Sequence, residues 1–195
     1  WASISSFVGV IASNGNRLLL GAWLTPTSLG LYSIASNLSS VIDGVGGRLF
    51  GAVSLPALTE VVHEQPHRLR EVFYRMRRGA DVVYIGSAGF LFASGNAIIG
   101  LLYDYRYAEA GPMLQLLSFY LLFSRYGIVQ DVYIALGKAS YLSAINLTQL
   151  ISLFVIVPLL FYLLGPTGAI LGIVLHLAPT AVSYTHLRAH ETKAN

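Results

Sequence analysis

The chain contains no cysteine among its 195 residues, and it has little charge: 12 Lys+Arg and 9 Asp+Glu. Without cysteine a disulfide scaffold and a thiolate metal or redox centre are both excluded. A soluble domain of this length would place charge on about a quarter of its positions, roughly 49 residues, so fewer than half the expected charges are present. Apolar residues make up 55% of the sequence, which excludes disorder, because disorder requires low hydrophobicity and high net charge. A soluble fold of this size could not bury so much apolar side chain. The composition implies a membrane protein, and the length of its apolar runs makes it all-α and polytopic.

A spanning helix needs about 20 predominantly apolar residues to cross about 30 Å of hydrocarbon. Six such stretches can be placed: about Ile4 to Leu24, Leu29 to Leu58, Ala80 to Tyr103, Pro112 to Leu136, Ala139 to Leu164, and a last one beginning after Gly165-Pro166. The expected architecture is therefore one six-helix transmembrane bundle covering residues 1–182. Most connections are short turns marked by Gly or Pro. The exception, about Thr59 to Arg78, holds Arg68, Arg70, Arg75, Arg77 and Arg78. The positive-inside rule turns this loop to the cytoplasm, with Gly137-Lys138 on the same side and Arg106 on the other. Leu69, Val72, Phe73 and Met76 fall at i, i+3, i+4, i+7, and Glu71 and Arg75 are spaced for a helical ion pair. That pattern predicts a short helix lying at the interface, its charge serving to set topology.

Both ends look atypical. Residue 1 is Trp and no leader precedes the first apolar stretch, which predicts an internal start. From Ser183 the apolar pattern gives way to a polar tail, 183–195, that resembles translated adapter read-through. The tail is expected to be non-native and carries no part of the functional reading. Its His186 and His190 have helical metal-ligand spacing but lack the rest of a zinc-hydrolase motif.

Charge inside a span is costly, about 2.5–3.5 kcal/mol per residue at the centre on insertion scales, so it marks candidate function. Five residues qualify: Arg17, Asp43, Arg48, Arg125 and Asp131. Arg17 shares a face with Ser6 and Ser13. Asp43 shares one with Ser36, Ser40 and Gly47. Arg125 lies a heptad from Ser118, and Asp131 is about 120° round from Arg125 at 100° per residue. One reading has these stripes line a polar cavity in which arginines attract an anionic substrate and the aspartates act as counter-charges or proton acceptors. The other has Arg17 and Asp131 snorkel to the interface while Asp43 and Arg48 pair with other helices. Gly47-x-x-x-Gly51 and Gly168-x-x-x-Gly172 predict close helix approach. His176 is expected to be a buried, hydrogen-bonded side chain. No phosphate loop, nucleophile elbow, catalytic carboxylate pair, cofactor motif or nucleic-acid stripe is present, so neither an enzyme nor a nucleic-acid partner is expected.

A series of short segments resembles the C-terminal half of polysaccharide flippases: Asn16 to Gly21, then Leu29 to Ala35, and Pro56. Leu101 to Ala110 is similar to their outer turn, except that Asp104 stands where Gly is usual. Ala135-Leu136-Gly137-Lys138 resembles an inner turn, and Gly165 to Ala169 the start of the next span. The resemblance implies the multidrug/oligosaccharidyl-lipid/polysaccharide superfamily, in which two six-helix bundles enclose a cavity opening alternately to either side. This chain would be one bundle, half of a flippase with 12 or more helices, facing a missing N-terminal bundle of the same chain. O-antigen-type members move polyprenyl-pyrophosphate-linked oligosaccharide across the bacterial inner membrane. Lipid-linked oligosaccharide and membrane lipids would then be its partners, with Arg48, Arg125 and Arg17 binding the substrate. A lipid II flippase, a drug/cation antiporter, a membrane glycosyltransferase or polymerase of the same pathway, and a scaffold are the alternatives. An antiporter would predict acidic residues in excess, and a transferase a sizeable outer loop; neither is seen.

Overall fold

The computed structural model describes residues 15–17 and 19–180, which are helical with short connections and contain no strand. The polar tail, His186, His190 and most of the first expected span lie outside the described residues. The first helix, α1, is helical at residues 15–17 and 19–23. It is followed by α2 (Pro26–Glu64), a 3-10 turn (Pro66–Arg68), α3 (Leu69–Leu102) and a second 3-10 turn (Tyr105–Tyr107). Three short helices come next, α4 (Ala110–Ser118), α5 (Leu121–Ser124) and α6 (Gly127–Ala135), and then α7 (Ala139–Leu175).

Three runs are long and apolar enough to cross a membrane: Pro26–Glu64, Pro66–Leu102 and Ser140–Thr180. Only 11–22% of the residues in their apolar windows are buried. Val82, Leu101 and Tyr162 are 74%, 85% and 87% exposed, which suits lipid and not water. The expected fourth span is not one helix. From Phe119 to Val129 many backbone bonds close over three residues instead of four, as in Tyr120 N–H to Leu117 and Phe123 N–H to Tyr120. The Ser118 hydroxyl takes the Gln115 carbonyl at 2.6 Å, and Gly127 opens α6. Such side-chain competition and glycine freedom bend helices.

The expected loop 59–78 is also corrected. Helix α2 passes through Pro56 to Glu64, and residues 69–78 are the first turns of α3, continuous with the span. No separate interfacial helix forms. The apolar stripe that predicted one is half-buried at Leu69, Val72, Phe73 and Met76, and the Glu71–Arg75 pair forms at 2.7 Å. The helix was read correctly; its independence from the span was not, because Gly79, the residue at the junction, keeps a helical backbone and does not break the chain there.

The chain divides into two compact units, Trp1–Leu31 with Ser143–Asn195, and Tyr32–Leu142. In the second unit α2 and α3 run antiparallel: Gly46 sits against Tyr84, where a Cβ would come within 2.9 Å of the ring, and Phe50 meets both Tyr84 and Gly79. α3 and α4 form the next antiparallel pair, with Phe92 on Phe119 and the Gln115 amide donating to the Phe92 carbonyl at 2.7 Å. α6 ends in a Schellman motif. Gly137 takes φ +69°, its N–H bonds the Ile134 carbonyl, and the Lys138 N–H bonds that of Tyr133.

In the first unit Gly15 faces Leu153 and Trp23 stacks on Phe161 at 5.1 Å. Both contacts advance by eight residues, so α1 runs parallel to the first part of α7. At Gly165 the backbone reaches φ 65°, ψ −147°, which only glycine adopts readily, and the chain folds back. Gly168 then lies on Leu160, and a Cβ on Gly172 would stand 2.8 Å from the Val157 Cα. The close approach expected of Gly168 and Gly172 is thus formed. Gly47 and Gly51 instead face open space, because the buried line of α2 runs through Tyr32, Ala35, Ser39, Gly46 and Ser54.

Candidate functional site

The second unit holds a polar seam between α2, α3 and the broken α4–α6. Arg77 and Asp81, one turn apart on α3, stand at 3.8 Å, and Arg125 Nη1 reaches the same carboxylate at 3.4 Å. Arg125 caps α5 and Tyr126 precedes α6, so the kink between these helices delivers both. The Tyr126 ring lies 5.5 Å from the Arg77 guanidinium carbon and 5.2 Å from that of Arg125, within cation–π range. Two cations share one carboxylate, and Arg125 Nε is buried with no hydrogen-bond partner. The side chains are 25–29% exposed, open enough for a small anion to reach. The arrangement carries a net positive charge.

Further along the seam the Ser54 hydroxyl donates to the Asp131 carboxylate. Asp43 bonds the Ser124 hydroxyl, with Tyr84 and Tyr120 in electrostatic reach of its charge. From Asp43 to Ser54 the seam extends about 16 Å along α2 at 1.5 Å per residue. Its aspartates meet hydroxyls or shared arginines, which offsets the cost of holding charge among spanning helices.

Of the five residues expected to form a site, Asp43, Arg125 and Asp131 are brought into this one seam. Arg48 is exposed on the opposite face of α2, beside Gly47 and Gly51, and forms no ion pair with a described residue. Arg17 belongs to the first unit and is exposed there. The polar face predicted for α2 is turned by one residue: Ser39 is buried and Ser40 exposed. Sequence reasoning missed Asp81, Arg77, Tyr126 and Ser54. The i, i+4 spacing of Arg77 and Asp81 was the available signal, but Arg77 read as loop charge, and Asp81, the second residue of the expected third span, was not counted among the charges inside the membrane. In the first unit His176 is 1% exposed and its Nδ1 lies 2.6 Å from the Ile173 carbonyl, a structural hydrogen bond. Among the described residues no three His, Asp or Glu side chains gather as metal ligands.

Long apolar helices carrying a charged seam define a helical membrane protein. The profile of the family described as "Polysaccharide biosynthesis protein" matches residues 1–112, more than half of the chain, and the chain belongs to that family. That match covers α2, α3 and the start of α4, hence Arg77 and Asp81 but not Arg125. No curated protein and no solved structure matches the chain.

Proposed function

We propose that this chain is part of a multi-pass bacterial inner-membrane transporter that flips polyprenyl-pyrophosphate-linked oligosaccharide by alternating access, for cell-surface polysaccharide such as O-antigen, and that it performs no chemistry on the substrate. The observation that carries the reading is the Arg77–Asp81–Arg125 cluster in a chain of the polysaccharide biosynthesis family. Charge-assisted bonds to phosphate are short, about 2.7–2.9 Å, whereas the two contacts to Asp81 are 3.4 and 3.8 Å. The arginines are therefore held loosely, and a pyrophosphate could displace the carboxylate from them. Asp81 would keep the guanidiniums paired between substrates. Arg48, open on α2, would attract the anion from the cavity between this bundle and a second one. The polyprenyl tail would remain in lipid while the bundles rock about the site.

The test is lipid-linked glycan translocation in a flippase-null strain carrying the full-length gene, with protein level checked for each variant. Arg125→Ala and Arg77→Ala should each lower translocation at least tenfold, and Arg125→Lys should retain part of it. Wild-type translocation in both alanine variants would refute the role of the cluster. A full-length protein that restores no glycan export would refute the transport reading itself.

A further inference from the structure

Helix α3 has 34 residues, about 51 Å at 1.5 Å per residue, against about 30 Å of hydrocarbon. Counted back about 20 residues from Leu102, the apolar layer ends near Val82, so the first three turns project beyond it. Asp81 and Arg77 fall at that boundary, and the projecting turns carry a cationic face. His67, Arg70, Glu71, Tyr74, Arg75 and Arg78 line an open depression of about 870 Å³. The one carboxylate in it is committed, since Glu71 pairs with Arg75 at 2.7 Å and Arg68 at 3.6 Å. Arg70 lies over the Tyr74 ring at 5.9 Å, and neither Arg70 nor Arg78 has an ion pair among the described residues.

Length decides what fits this face. Arg70 and Arg78 are eight residues apart, about 12 Å along the axis, while a headgroup layer is only about 5–7 Å deep on each side. A phospholipid headgroup that meets Arg78 cannot also meet Arg70. A ligand engaging both must stand out from the membrane and carry negative charge along its length. Arg70 and Arg77 are a heptad apart on one line of the helix, so such a ligand would be continuous with an anion held at the Arg77–Asp81–Arg125 cluster.

We infer that this face binds the sugar portion of the lipid-linked substrate, and that the sugars are acidic, bearing carboxylate or phosphate groups that Arg70 and Arg78 read in sequence. The identity of the ligand rests on the function proposed above; the surface itself does not. By the positive-inside rule the face is cytoplasmic, the side from which a newly made glycan arrives.

The test uses the full chain in neutral bicelles, titrated with trigalacturonate, with neutral maltotriose and with inorganic phosphate. Trigalacturonate should bind saturably and weaken with salt. Maltotriose should not bind. The double variant Arg70→Gln, Arg78→Gln should lose about tenfold in affinity, the sum of two exposed charge contacts. Arg70→Lys with Arg78→Lys should keep most of it, and Arg106→Gln on the far side should change nothing. Equal binding of maltotriose, or full affinity in the glutamine variant, would overturn the inference. So would complete displacement by inorganic phosphate, or by acidic lipid when the titration is repeated in bicelles that contain it, which would mark a simple anion surface. Absent trigalacturonate binding with Arg125-dependent translocation would sink this inference alone, whereas binding without Arg125-dependent translocation would sink the cluster's role in transport alone.

Discussion

Replacing Asp81 by Asn keeps the shape of the side chain and removes the one carboxylate that Arg77 and Arg125 share. At an effective dielectric of about 20, a charge pair at 3.4 Å is worth about 5 kcal/mol and one at 3.8 Å about 4 kcal/mol before desolvation. The groups are 25–29% exposed, so water returns most of this. Exposed pairs net about 0–1 kcal/mol, and orphaning a fully buried charge costs about 3–5 kcal/mol. The site lies between these limits, and Asp81→Asn should cost about 2 kcal/mol, part of it from two guanidiniums now facing each other uncompensated. Unfolding in bicelles of Asp81→Asn, Arg125→Gln and the double variant reads the pair directly. The coupling energy should be about 1–2 kcal/mol, because Arg125→Gln should cost little once its partner is gone. Additivity within about 0.5 kcal/mol would refute the contact. A merely structural ion pair predicts nothing further, but a site in which Asp81 stands in for phosphate predicts that Asp81→Asn binds pyrophosphate more tightly while being less stable.

Gly165→Ala should destabilise by about 1–3 kcal/mol in the same unfolding assay, since φ 65° with ψ −147° is closed to a Cβ; an unchanged midpoint would show that the reversal does not depend on this backbone. Gly172→Leu should cost more than Gly51→Leu, because a Cβ at 172 already meets the Val157 Cα at 2.8 Å while 51 faces open space; equal losses would refute the asymmetry. The absence of cysteine allows single-cysteine labelling. Cysteines at positions 71 and 138 should react with an impermeant reagent from one side of the membrane and a cysteine at 106 from the other, and any different grouping would refute the orientation.

Helices α2 and α3 and the break at Gly165-Pro166 were legible in the sequence because long apolar runs and a Gly-Pro pair act over a few residues. The fourth span misled, since its apolar content is high and only the Ser118 hydroxyl, Gly127 and the local three-residue bonding betray its breaks. Asp43, Arg125 and Asp131 were legible as misplaced charge. Their partners were not: Ser54 lies 77 residues from Asp131 and Asp81 lies 44 from Arg125, so only the packing of different helices reveals them. Arg48 looked equivalent to Arg125 by hydropathy alone. A turn of α2 about its axis sends it to the other face, and the facing residues Gly46 and Tyr84, not any polar pattern, fix that turn.

The broken span also has a mechanical meaning. Along α3 each peptide is tied into an unbroken ladder, and along α2 only Pro56 leaves a donor out of it, so those helices bend less readily than the segment that follows. Between Ser118 and Gly127 the ladder is interrupted twice, and Arg125 and Tyr126 sit at the second interruption. Force applied to Arg125 therefore acts on a joint: drawing its guanidinium away from Asp81 swings α6, with Asp131 and the Gly137 turn at its far end, instead of straining a rod. A shift of a few ångströms at one side chain becomes a change in direction of the helix that leads to the opposite end of the turn.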